Sequence, residues 1–160
     1  MKVLRLKNFC ISNGSGIGVS VYVSGCPLHC KGCFNAESWD PDQGRDFDKT
    51  MLEKIMNLLN VSTIDHLSVL GGEPLAEWNT EGVEKLIKES KKRFPEKEVW
   101  LWTGYMPEEL NEKQKEVTAL CDYVTYGRFE MEKANLNRRY SGSDNQFTVR
   151  RDGTIIEASK

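Results

Sequence analysis

What most restricts the fold of this chain is the way its apolar period switches repeatedly between two residues and about 3.6. Residues 16–23, GIGVSVYV, alternate Val19, Val21 and Val23 with smaller or more polar neighbours, as a strand does. From Thr50 the stretch TMLEKIMNLLN puts Leu52, Ile55, Met56 and Leu59 on one face and spaces Thr50 and Glu53 as a capping box. That predicts an amphipathic helix starting at Thr50. A strand follows over 63–70 (TIDHLSVL). Next come a helix from Thr80, with Val83, Leu86, Ile87 and Phe94 at helical spacing before Pro95, and a strand over 98–103 (EVWLWT). Pro107 stands near the start of a third helix with Leu110, Val117 and Leu120 on one side, and DYVTY at 122–126 reads as a further strand. The stretch 128–145 is polar without a clear period, and QFTVRRDGTIIEA at 146–158 predicts a closing hairpin around Asp152 and Gly153.

Strand and helix in turn imply parallel strands joined by crossover helices. About four such strands and three helices are too few for a closed eight-stranded barrel. The expected fold is therefore α/β, an open partial barrel or curved sheet, in a single domain spanning 1–160. In such sheets ligands gather at the carboxyl ends of the strands.

Two motifs fall there. In SGCPLHCKGCFNAESWD (24–40), directly after the first strand, Cys26, Cys30 and Cys33 lie within eight positions. A structural zinc site closes with four protein ligands, whereas three thiolates on an iron–sulfur cubane leave one iron open for chemistry. Gly25, Pro27 and Gly32 help the backbone turn around such a group. Taken alone, the three thiols also fit zinc completed by His29, Cys10 or Cys121. The second motif is GGEP at 71–74, after the strand over 63–70. With no side chains at Gly71 and Gly72, a ligand can approach the backbone, and a carbonyl edge there can accept from an ammonium group.

Lysines and arginines number 22 against 24 acidic residues, a formal charge of −2 with no basic patch, which argues against a nucleic-acid partner. No apolar run reaches the roughly 18 residues of a membrane span, and the first residues lack the apolar centre of an export signal. A cytoplasmic location is expected. There disulfides are disfavoured, and clustered cysteines point to metal binding or catalysis. Cys10 and Cys121 stand apart from the cluster and read as small buried hydrophobes.

C-x3-C-x2-C with GGEP about forty residues further on resembles the radical S-adenosylmethionine enzymes. Most members of that superfamily carry an aromatic residue just before the third cysteine; this chain has Gly32 there and Phe34 just after. With that departure, CPLHCKGCFNAESWD is similar to the activating proteins of glycyl radical enzymes, and within them to the small activating proteins of the anaerobic ribonucleoside-triphosphate reductase. The likeness extends through LWTGY (101–105), DYVTYGRFE (122–130) and RRYSGSDNQ (138–146). Relatives tend to carry Asp-Gly-Pro-Phe where this chain has Tyr126-Gly127-Arg128-Phe129, so a contact made by that aspartate is not carried over.

The resemblance implies a partial, open (βα) barrel of the radical S-adenosylmethionine type. It implies one 4Fe-4S cluster on Cys26, Cys30 and Cys33, with S-adenosyl-L-methionine chelating the fourth iron. Cofactor contacts would come from Gly32, Phe34, Asn35, Gly71, Gly72 and Glu73. The implied reaction is reductive cleavage of S-adenosylmethionine to methionine and a 5'-deoxyadenosyl radical, which takes a hydrogen atom from a glycine of the reductase. An electron donor such as flavodoxin is implied, and no catalytic acid or base. Two other readings stand beside this one: a small-molecule radical enzyme of the deazapurine carboxylate synthase type, and a non-catalytic zinc or iron–sulfur module.

The remaining notable residues read more blandly. Thr103, Gly104 and Tyr105 fit a strand end and turn as well as a cofactor contact. Arg138 and Arg139 read as a solvated pair, Trp39 and Asp40 as anchors of the cysteine loop, and Trp100 and Trp102 as packing. His29 is expected to be exposed and not a ligand, and His66 to be a strand residue without a role.

Overall fold

The computed structural model describes residues 1–157. Strands β1 (Lys2–Cys10) and β2 (Gly18–Val23) pair antiparallel, and the two-residue β3 (Arg45–Asp46) adds to the other side of β1. Then come α1 (Lys49–Leu59), β4 (His66–Gly71), α2 (Glu77–Arg93), β5 (Glu98–Thr103), α3 (Glu112–Leu120) and β6 (Tyr123–Tyr126). The hairpin β7 (Phe147–Arg150) and β8 (Ile155–Ile156) closes the order. All eight strands form one sheet, β3-β1-β2-β4-β5-β6-β7-β8, which is open, with β3 and β8 as its edges.

The α/β expectation holds. β2, β4, β5 and β6 are parallel neighbours in sequence order. Crossovers of one hand between successive neighbours place the three helices on one face. That face is apolar: Val19, Val21, Val23, Leu67, Val69, Val99, Leu101 and Val124 share one core cluster with Ile55 and Met56 of α1, Leu86 and Ile87 of α2 and Val117 of α3. The intervening residues turn the other way and are polar or aromatic, among them Ser20, His66, Ser68, Trp100 and Thr125, all fully or nearly fully buried.

The helix starts differ from expectation. Asp48, not Thr50, caps α1: its carboxylate accepts from Met51 N at 2.8 Å, and Thr50 lies inside the first turn. Glu53, freed from any capping box, takes both terminal guanidinium nitrogens of Arg93. α2 begins at Glu77, three residues before Thr80, whose hydroxyl donates back to Leu75 O and Ala76 O. Pro107 belongs to a separate 3₁₀ turn (Pro107–Glu109), and Asn111 with Gln114 forms the capping box that starts α3. The terminal hairpin turns as expected, with Thr154 N donating to Asp152 and Gly153 at φ +89°; Ala158, the end of that reading, lies outside the described residues. No helix among the described residues is long and apolar enough to cross a membrane.

Candidate functional site

The carboxyl ends of the parallel strands open on a cavity of about 620 Å³. Cys26, Cys30 and Cys33 line it beside Gly71, Gly72 and Glu73, Thr103 and Gly104, and the stretch from Gly127 to Phe129. The structure therefore brings the two sequence motifs to one rim, with Phe34 and Asn35 on the same wall.

The cysteine loop is pinned where it leaves β2. Gly25 N donates to Ser38 O at 2.7 Å and Cys26 N to Trp39 O at 3.1 Å, so the loop closes on itself between residues 26 and 39. A 3₁₀ turn (Ala36–Ser38) completes it, with Ser38 Oγ donating to Asn35 O. His29 has φ +47°, rare for a residue with a side chain, and its exposed ring stacks on Trp39 at 4.3 Å. Gly32 has φ +74°, and a Cβ there would run into Met131. Phe34 projects outward, 64% exposed, with its ring 4.9 Å from Phe129.

Asn35 N donates to Cys33 Sγ at 3.4 Å, and the backbone of Leu28 and His29 near Cys26 and of Phe129 near Cys30 favours the thiolate. Burial pushes the Cys26 and Cys30 thiols up from their ordinary value, against this backbone effect. Bound soft metal would reverse that balance, since a coordinated thiol is deprotonated outright. Three thiolates on one short loop suit an iron–sulfur cluster. Among the described residues no three His, Cys, Asp or Glu side chains are grouped to hold a single metal ion. Cys10 and Cys121 are buried outside this cavity lining; Cys121 joins the apolar core, whereas Cys10 Sγ accepts from Asn13 Nδ2 at 3.6 Å and meets Ser12 Oγ at 3.2 Å, so it is not the small hydrophobe expected.

The GGEP segment has a different local logic from the one its glycines suggest. A Cβ on Gly71, at φ +113°, would strike the Val23 backbone, and one on Gly72 would strike the Gly25 carbonyl. The space left by the missing side chains is filled by the protein's own chain, which ties GGEP to the residue before Cys26; Glu73 N donates to Gly25 O at 2.8 Å. Asn79 Nδ2 reinforces the joint by donating to Ser24 O and Glu73 O.

Glu73 is 1% exposed. Its carboxylate accepts from Leu75 N, Thr103 Oγ1 and Gly104 N at 2.9, 2.7 and 2.7 Å, so Thr103 and Gly104 act here as a clamp on Glu73 across two strand ends. Burial nevertheless pushes the carboxyl up to about 7.

Sequence reasoning missed the far wall. Arg128 forms a bidentate pair with Glu109 at 2.9 and 3.0 Å. Arg138 is not simply solvated: it donates to Ser141 Oγ and Gln146 O, while Arg139 is exposed over the Tyr140 ring. Gln146 knots the loop, accepting from Gly142 N and Ser143 N and donating to Gly127 O. His66 also has a role, its ring nitrogens contacting Asn13 O at 2.5 Å and Ser15 O at 3.0 Å, which ties the β1–β2 connection to the sheet. The polar, aperiodic run 128–145 and the family likeness through 122–130 and 138–146 were the hints of such a loop.

An open, singly wound sheet with three cysteines on its strand-end rim defines a one-cluster iron–sulfur domain. Residues 12–149 match the family model described as a 4Fe-4S single cluster domain. Over 142 residues the chain is 35% identical to an anaerobic ribonucleoside-triphosphate reductase-activating protein of Haemophilus influenzae, covering 88% of this chain and 92% of that one. The proteins of the same description from Escherichia coli K12 and Enterobacteria phage T4 are 36% identical over 138 residues (85% and 90% covered) and 37% over 134 (84% of each). The chain belongs to the family of anaerobic ribonucleoside-triphosphate reductase-activating proteins.

Proposed function

We propose that this protein activates the anaerobic ribonucleoside-triphosphate reductase by generating a glycyl radical, using S-adenosyl-L-methionine cleaved reductively at a 4Fe-4S cluster. The observation that carries the reading is the meeting of Cys26, Cys30 and Cys33 with GGEP on one strand-end rim, in a chain of this family. Cys26, Cys30 and Cys33 would hold the cluster, which with S-adenosylmethionine supplies the electron and the hydrogen-abstracting adenosyl group. Gly32, Phe34, Asn35, Gly71, Gly72 and Glu73, all at or beside that cavity, would position the cofactor. The chain's own task is to bind, orient and exclude competing reactions, so no residue is assigned as an acid or base.

On this reading the open sheet is the partial (βα) barrel of the radical S-adenosylmethionine type, in one domain over 1–160, working in the cytoplasm with a donor such as flavodoxin. The test is anaerobic reconstitution with iron and sulfide, then addition of S-adenosylmethionine, a strong reductant and the anaerobic reductase encoded by the same genome. A glycyl radical detected by electron paramagnetic resonance is expected. Cleavage of S-adenosylmethionine with no such radical, while an added purine precursor is converted, would replace this reading with the small-molecule one.

A further inference from the structure

Three of the chain's exposed large apolar side chains, Ile11 (73%), Leu136 (73%) and Phe34 (64%), lie on the wall of this one cavity. Scattered single apolar residues on a surface need no explanation, but three gathered at one mouth mark a contact. Two apolar jaws, Ile11 and Leu136, reach this cavity from different loops. Ile11 follows β1, on one side of the four parallel strands, while Leu136 lies on the loop between β6 and β7, on the other side. Neither loop is loose: Asn13 O accepts from His66 and Ser68, and Arg138 and Gln146 brace the second loop. Two fixed supports therefore hold two apolar side chains out into solvent.

The charges at the mouth are also one-sided. Arg128 is satisfied by Glu109, and Arg138 by Ser141, Gln146 and the nearby Asp144. Arg139, on the same wall, meets only the Tyr140 ring at 5.5 Å and no acidic group among the described residues. The one Asp or Glu in the lining among the described residues, Glu73, is buried and already clamped.

We propose that Ile11 and Leu136 grip a protein segment on either side of its reactive glycine, and that Arg139 takes a carboxylate side chain on that segment. The two jaws themselves offer only exposed apolar surface, which suits a polypeptide with apolar side chains to bury beside a bare glycine. The inference rests on the proposed function and specifies the partner surface which that function requires.

The experiment measures glycyl radical formed against reductase concentration, alongside iron content and S-adenosylmethionine cleavage without reductase. The variants are Ile11→Ser with Leu136→Ser, and separately Arg139→Gln. The double variant should keep its iron and its reductase-free cleavage while needing about tenfold more reductase for half-maximal radical. Arg139→Gln should need about fivefold more, with the difference shrinking in high salt. An unchanged reductase requirement in both variants overturns the jaws and leaves the proposed function standing. A wild-type protein that yields no glycyl radical at any reductase concentration overturns the proposed function itself.

Discussion

Glu73 sets two physical effects against each other at the floor of the cavity. Three donors favour its ionised form, and burial at 1% exposure disfavours it. With burial prevailing and the carboxyl at about 7 instead of 4.5, the folded chain holds a proton that the unfolded chain releases. The stability this contributes is complete below pH 4.5 and is lost as pH rises to about 7, after which it stays flat. A displacement of that size corresponds to about 3 kcal/mol between pH 4 and pH 8. The measurement is urea unfolding of the metal-free protein across that range, with Glu73→Gln as the non-titrating reference. Glutamine keeps one acceptor oxygen for Leu75 and Thr103 but opposes an N–H to the N–H of Gly104, a cost of about 1–3 kcal/mol that does not itself vary with pH. The wild-type advantage over that reference should shrink by about 3 kcal/mol from pH 4 to pH 8. Parallel curves would show that the three hydrogen bonds cancel the cost of burial, and an advantage that grows with pH would show that they outweigh it and hold Glu73 ionised.

Two further outcomes follow from the rim. Cys26→Ala, Cys30→Ala and Cys33→Ala should each lose the cluster, seen as iron per chain and visible absorbance after anaerobic reconstitution, while Cys10→Ala and Cys121→Ala retain it; iron kept in Cys30→Ala but lost in Cys10→Ala would reassign the ligands. Gly72→Val should lower iron content together with S-adenosylmethionine affinity, because its Cβ would meet the Gly25 carbonyl next to Cys26. Full iron with lost cofactor affinity would show that the ligand, and not Gly25, needs that space.

Much of the sheet was legible because each buried strand keeps a clean period of two. EVWLWT coincides with β5, and the strands read at 16–23, 63–70 and 122–126 reappear with ends moved by up to three residues. The helix starts were less legible, for reasons visible at single residues. Asp48 and Thr50 both suit a cap, and which one closes on the helix depends on how the chain arrives from β3. Glu53, which completes a capping box on paper, is claimed by Arg93 forty positions away. α2 has no side-chain cap at Ala76, so Thr80 was the first hydroxyl to attract the reading although it lies inside the helix. The three cysteines stood out as candidate ligands because soft donors clustered in eight positions point to metal binding. The wall from Arg128 to Gln146 did not, since it is built from side-chain bonds to distant backbone, which leave no periodic trace.

The alternation within the strands also explains how so small a chain supports both a core and a site. In β2, β4, β5 and β6 one set of residues faces the helices and supplies the common apolar core. The other set binds loops: Ser68 and His66 donate to or contact Asn13 O, Trp102 Nε1 donates to Tyr140 O at 2.7 Å, and Thr125 Oγ1 reaches the same carbonyl at 3.4 Å. A sheet buried by helices on both sides would read as continuous apolar runs. Here the second face is polar and aromatic because its partners are loop carbonyls, which must find donors once they are buried. Those same loops carry Ile11 on one side of the cavity and Leu136 and Arg139 on the other. The placement of the mouth is therefore set by buried strand residues of the central sheet, and a change at Ser68 or Trp102 would move a jaw while leaving the helix-packed core intact.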